Sequence, residues 1–302
     1  MLQVSQAVSD AAPLDGIRLR DPLVLAVPGE QRYYLYGTCP GRKPPGFDAY
    51  MSTDLRVWEG PFPVFEAPAV FWADRQFWAP EVHAYKGRYF LLASFAREYP
   101  VRGTQVCVSD SPRGPFVPIG NGPQTPHDWQ CLDGTLFIDD EARPWMVFCH
   151  EWTQVGDGEI CAVRLAEDLS APVGEPLLLF RASQAAWVAE VTHDRFTGRV
   201  TDGPWLHRTA SGALLMLWSS FDREHRYCIA VAHSESGRIE GPWRHEPAPW
   251  FQADGGHAML FRGLDGQLRV VFHQPNRRPE RPRILTVREE GGRLIIADTQ
   301  TE

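Results

Sequence analysis

Short apolar runs alternate with polar turns along almost the whole chain, and few runs keep the 3.6-residue spacing of an amphipathic helix. The runs are rich in branched and aromatic residues, and Gly, Pro and Asp punctuate them. Set side by side, they fall into five similar units. The first reads "RDPLVLAV", "RYYLYGT" and "FDAYMSTD"; the second "APEVHAY", "RYFLLASFA" and "TQVCVSDS". The third reads "LDGTLFID", "RPWMVFCHEW" and "EICAVRLAED"; the fourth "TDGPWLHR", "ALLMLWSSF" and "RYCIAVAHS"; the fifth "GHAMLFR", "LRVVFHQPN" and "PRILTVRE". Each unit is a strand, a polar turn, a more apolar strand, a loop and a third strand. The middle strands are apolar on both faces, which suits sheets stacked face to face with neither surface in water. A unit of three or four strands recurring every 52–69 residues has the length of a propeller blade. The pattern predicts an all-β, five-bladed β-propeller over residues 1–302 as one domain, with residues 181–200 inserted between blades.

Composition narrows the partners. The 302 residues are 43% hydrophobic and 23% charged, with a net charge of −8. That balance argues against nucleic acid, whose phosphates need a basic surface, and against an anionic membrane. No apolar run approaches the ~20 residues of a membrane span. The start, "MLQVSQAVSDAAPLDG", has no basic and apolar leader pattern, so the expectation is a cytoplasmic protein, although a trimmed secreted chain would read the same. Six cysteines form no CxxC pair, and several lie inside apolar strands, so they read as free buried thiols.

Candidate chemistry appears where the first strands begin. Asp21, Glu81, Asp133, Asp202 and His257 occupy similar places in the five units. Alone, each Asp-Gly or Asp-Pro reads as a turn. In a propeller, however, all first strands start at one mouth, so the five residues converge. Four acids on one rim repel each other unless some chemistry uses them. The second strands return to the same mouth and end in Thr38, Ser94, His150-Glu151-Trp152, Ser219 and His273. Trp72, Phe77, Trp78, Trp152 and Trp205 are candidate walls, each with core packing as the alternative. Aromatic faces beside hydrogen-bonding groups suit a small carbohydrate.

Topology suggests roles. Asp21 and Asp202 lie on blades that are not neighbours, so they should face each other with room for a water, the arrangement of inverting glycosidases at roughly 6.5–9.5 Å. Asp133, on the blade next to Asp202, should raise its pKa and keep it protonated. Arg18 or Arg20 should keep Asp21 ionised. Arg283, in the basic run 277–283, is either a solvated loop residue or a partner for Asp133 or substrate.

The motifs "RDP" at 20–22, "FWAPEV" at 77–82, "LDGTLFID" at 132–139, "TDGPWL" at 201–206 and "GGHAMLF" at 255–261 resemble those of glycoside hydrolase family 43. The resemblance covers nearly the whole chain. It implies inverting hydrolysis of arabinofuranosides, xylosides or related galactosides. Asp21 would be the general base, Asp133 the pKa modulator, and the position of Asp202 the general acid. It implies no required cofactor, with water or a structural calcium ion at the axis beside His257. One departure stands out, because the family acid is typically Glu and Asp202 is one methylene shorter. A carboxyl displaced by about 1 Å can cost on the order of 100-fold in rate. Either substrate sits deeper, or Glu151 supplies the proton, or the chain binds sugar without hydrolysing it. The expected activity is that of an α-L-arabinofuranosidase or β-xylosidase. A galactosidase or galactanase, a silent sugar-binding propeller and a protein-binding scaffold are the alternatives. Loops 39–47, 97–104 and 181–200 should shape the subsites.

Overall fold

In the computed structural model, which describes residues 11–98 and 102–297, the chain forms five antiparallel sheets arranged as blades. Residues 1–10, read above for a leader, and 99–101 of loop 97–104 lie outside the described residues. Blade I runs outward through Arg20–Val27, Arg32–Thr38, Gly46–Ser52 and Val57–Glu66, with Ala11–Pro13 added at its outer edge. Blade II is Arg75–Tyr85, Arg88–Ala96, Arg102–Ser109 and Val117–Pro118; blade III is Cys131–Ile138, Pro144–His150, Glu159–Leu165 and Pro172–Arg181. Blade IV is Asp202–Arg208, Leu214–Phe221, Tyr227–Ser234 and Trp243–His245; blade V is Gly256–Arg262, Leu268–Gln274, Arg281–Glu290 and Arg293–Ile296. The insertion before blade IV carries a hairpin, Val191–His193 with Phe196–Gly198.

The period-2 geometry of a strand explains why the middle strands are apolar throughout. Leu214, Met216 and Trp218 point into the core shared with blade III, while Leu215 and Leu217 point into the core shared with blade V. In blade III, Val147 and Cys149 join the core toward blade IV, and Met146 and Phe148 join the core toward blade II. Each such side chain contributes about 1.5–3 kcal/mol by leaving water. Met259, Phe261 and Val271 of blade V share one core with Leu23 and Tyr33 of blade I, so the ring closes, among the described residues, without a strand exchanged between its ends. Trp58, Trp145 and Trp218 are buried in these cores.

A cluster of aromatic rings packs between blades I and II. Phe95 is fully buried, with ring centroids of Phe71 and Phe77 at 5.0 Å, Phe65 at 5.6 Å and Phe47 at 5.8 Å. Phe95→Ala should cost about 3–5 kcal/mol, because a rigid ring leaves a cavity its neighbours cannot close. Denaturant unfolding would read the loss as a lower midpoint at constant slope. A loss below about 1 kcal/mol would show that these rings repack freely.

One backbone device recurs in all five blades. The inner strand breaks register after the residue paired with the end of the second strand: Arg20↔Thr38, Trp78↔Ser94, Leu132↔Cys149, Asp202↔Ser219 and Gly256↔His273. The next residue takes a positive φ: Asp21 (52°), Ala79 (46°), Asp133 (54°), Gly203 (51°) and His257 (57°). Such a bulge leaves an N–H outside its own ladder, and a buried N–H must find a partner. In four blades that partner is the side chain ending the second strand of the preceding blade. Ala79 N donates to Thr38 Oγ1 (2.7 Å), Asp133 N to Ser94 Oγ (2.8 Å), His257 N to Ser219 Oγ (2.8 Å) and Asp21 N to His273 Nδ1 (3.2 Å). These bonds stitch blade to blade at the mouth and fix where the chemical residues start.

Candidate active site

The bulges bring Asp21, Asp133 and His257 to the axis. His257 Nδ1 lies 3.3 Å from Asp21 Oδ1 and 3.7 Å from Asp133 Oδ2. Asp202 comes one position earlier in its strand, and Gly203 takes the bulge place. A Cβ at Gly203 would lie 2.8 Å from His257 Cγ, so this close approach, like the positive φ, requires glycine. Gly203 N donates to Asp133 Oδ2 at 3.0 Å. Asp202 is half-buried, and its Oδ2 accepts a hydrogen bond from Tyr227 Oη at 2.9 Å.

The environments of the carboxyls differ. Burial alone would raise Asp21, but His257, Arg20 and the Thr38 hydroxyl hold it below the usual aspartate range. Arg20 Nε is 3.4 Å from Asp21 Oδ1, and Thr38 Oγ1 donates to Asp21 Oδ2 at 2.8 Å. Arg18 instead faces Glu280 at 3.6 Å. His273 accepts the Asp21 N–H through Nδ1 and faces Asn276 Oδ1 through Nε2 at 3.2 Å, which describes a neutral ring protonated on Nε2. Burial pushes its pKa down to about 3, in keeping with that tautomer. Burial, then Asp133 and Glu151, push Asp202 up to about 7, with His257 and Tyr227 opposing. Burial and the Asp21 charge push Asp133 upward, and the Gly203 N–H opposes. Carboxyls crowded in this way cannot all be ionised at neutral pH.

Glu151 caps the helical turn Trp152–Val155 on the same rim. Its Oε2 pairs with Arg102, whose guanidinium also bonds Gln76 Oε1 and lies 5.0 Å from the Trp78 ring centroid. Burial raises Glu151, while Arg102 opposes. Trp78 is half-buried, with the Arg102 guanidinium over its ring face.

The other candidate walls are placed as follows. Phe77 and Trp72 are partly buried in the Phe95 cluster, and Trp72 Nε1 donates to Gln105. Trp152 is 9% exposed and lies under Gly198 of the inserted hairpin. Trp205 pairs one step deeper than Asp202, stacks on His83 at 5.6 Å, and lines a cavity of about 340 Å³ with Val24, Ala84, Ile138 and Arg262 along the inner strands. Glu81 belongs to that deeper level too, opposite Leu92; it is 1% exposed and its Oε2 is 2.9 Å from His83 Nε2. The similarity of "APEV" to the other strand starts hid a two-residue offset, because blade II breaks register twice. Arg283 is exposed on the third strand of blade V, opposite Phe272, and the arginine beside the carboxyls is Arg20. Tyr227 escaped the sequence reading. Gly256 makes room for its ring, since a Cβ there would lie 2.2 Å from Tyr227 Cε1, and the adjacent glycines in "GGH" were the available hint.

His257 Nε2 and Glu81 Oε1 are buried without a hydrogen-bond partner. Either would accept a water, and His257 could lend one nitrogen to a hydrated ion. Among the described residues no group of three or more His, Cys, Asp or Glu could hold a metal, so these side chains do not build a calcium cage.

Comparison with known proteins agrees with the geometry at the level of the family. The chain is 43% identical to an endo-arabinase from Bacteroides thetaiotaomicron VPI-5482, over 95% of this chain and 99% of that one, with a TM-score of 0.89. It is 29% identical over 89 residues to xylosidase/arabinosidase 43A of Humicola insolens, covering 30% of this chain and 26% of that protein. It is 24% identical over 252 residues to the β-D-galactofuranosidase xynD of Aspergillus niger, covering 76% of this chain and 65% of that protein. The chain thus spans less than two thirds of the length of these two curated relatives. The sequence pattern described as "Glycosyl hydrolases family 43" matches residues 12–291, and the chain belongs to that family.

Proposed function

We propose that the chain is an inverting glycoside hydrolase acting on α-L-arabinofuranosyl bonds of plant-type oligosaccharides. The observation that carries the reading is the contrast between two carboxyls on one rim: Asp21 lies against Arg20, His257 and the Thr38 hydroxyl, which favour its ionised form, whereas the Asp202 carboxyl meets, among the described residues, only the Tyr227 hydroxyl and burial pushes it up to about 7. Inverting hydrolysis needs one carboxylate to take a proton from water and one carboxylic acid to protonate the leaving oxygen. Asp21 is then the base and Asp202 the acid. The crowding of Asp202 against the Asp133 carboxyl and Glu151 adds to the burial that keeps Asp202 protonated. The Glu151 carboxyl is engaged by Arg102, which supports a substrate-positioning role for that residue over proton donation. The preference for arabinofuranosyl bonds rests on the 43% identity to the endo-arabinase. A β-xylosidase is the second reading, favoured by the similarity to xylosidase/arabinosidase 43A.

A hydrolysis screen tests this. Nitrophenyl α-L-arabinofuranoside, nitrophenyl β-D-xyloside, the corresponding galactosides and a linear arabinan are incubated with the protein, and release of product is measured. Turnover of an arabinofuranosyl substrate is expected. Sugar binding without turnover of any of them would favour the silent propeller. A plugged funnel with no sugar affinity would favour a protein scaffold.

Tyr227→Phe provides a further check. The tyrosine hydroxyl donates to Asp202 and so favours its ionised form. Its loss raises the Asp202 pKa, and the alkaline limb of the pH–rate profile should move to higher pH. A move to lower pH would contradict the direction of that hydrogen bond.

A further inference from the structure

The blade III–IV interface departs from the other four. At the place held by Thr38, Ser94, Ser219 and His273 stands Cys149, paired with Leu132 as Thr38 is with Arg20. Oxygen and imidazole nitrogen accept hydrogen bonds well, and thiol sulfur accepts them weakly. The bulge N–H of Gly203 bonds the Asp133 carboxylate instead. Cys149 is fully buried and is a free thiol.

We propose that Cys149 is a positioning residue, in that its poor acceptor atom leaves the Gly203 N–H free to hold the Asp133 carboxylate at the axis. The substitution that restores the repeat should therefore harm the site. In Cys149→Ser, a hydroxyl stands where three other blades carry one, and those hydroxyls take the bulge N–H at 2.7–2.8 Å. Gly203 N then turns to the hydroxyl and Asp133 loses its backbone anchor. Cys149→Ala removes the sulfur without adding an acceptor, so Asp133 keeps its bond.

The ranking separates this role from packing. A packing role predicts that serine, close to cysteine in size, is tolerated better than alanine, which leaves a cavity. The positioning role predicts the reverse for turnover. Leaving a buried acceptor without its partner costs enough that Cys149→Ser should lower kcat about 10–100-fold, with KM within about 2-fold, whereas Cys149→Ala keeps kcat within about 3-fold. Thermal melting should rank the two variants the other way.

The kinetic form of the test rests on the hydrolase reading, so a crystal structure of Cys149→Ser is the arm that does not. The expected result is Gly203 N within hydrogen-bond distance of the introduced hydroxyl and beyond it from Asp133. Gly203 N remaining on Asp133 Oδ2 overturns the inference whatever the activity. So does a serine variant as active as the native enzyme. Native protein that turns over no glycoside overturns the hydrolase reading, and the crystal structure then still decides the role of Cys149.

Discussion

Asp21→Asn should lower kcat/KM by about 10²–10⁴-fold on every substrate the enzyme turns over, the range for loss of a positioned general base. The amide keeps the size and most of the hydrogen bonding of the carboxylate. It accepts from Thr38 Oγ1, and asparagine tolerates the positive φ of 52° that position 21 requires. What disappears is the charge that His257 and Arg20 stabilise and the lone pair that deprotonates water. Sugar binding should survive, and calorimetric titration of the variant would read it. Retention of more than a tenth of the native rate would remove Asp21 from the chemistry.

Asp202→Asn should produce a loss that depends on the leaving group. A nitrophenolate departs with little protonation, whereas a sugar alkoxide needs a proton in the transition state. The variant should therefore lose about 10²-fold or more on a natural oligosaccharide and much less on the nitrophenyl glycoside. Its pH profile should change as well. Native Asp202 is protonated below about 7 and loses its proton as pH rises through that value, so the alkaline limb falls there. Asp21 is ionised above its lowered pKa, so the acid limb falls only below the usual aspartate range. Together these place the optimum on the acid side of neutrality, and Asp202→Asn should erase the alkaline limb. Glu151→Gln should instead weaken substrate binding, because it breaks the pair that holds Arg102 beside Trp78. Leaving-group dependence in Glu151→Gln, with none in Asp202→Asn, would transfer the role of acid to Glu151.

The architecture was readable because a blade imposes its own text. A second strand buried on both faces must be apolar at consecutive positions, and "ALLMLWSSF" and "RPWMVFCHEW" are. Asp21, Asp133 and His257 were found for a related reason: each begins an inner strand at the bulge, so the repeat that reveals the fold also aligns them. Asp202 and Glu81 show the limit of that alignment. Offsets of one and two residues shift a side chain along the axis, and only the ladder register reports them. Trp205 was drawn to the mouth by its closeness to Asp202, yet at about 3.3 Å per residue three positions carry it well down the tunnel, against His83. Tyr227 and Arg102 begin third strands and reach the rim across a blade, a relation that local sequence does not encode.

The central claim, that Asp21 and Asp202 act on water and leaving group from opposite sides of the sugar, is tested most directly by proton NMR of the first product formed from an arabinofuranosyl substrate. The account predicts that product with the anomeric configuration opposite to that of the substrate, before mutarotation mixes the two. Release of sugar with the substrate's own configuration would mean a covalent intermediate and a different pairing of carboxyls.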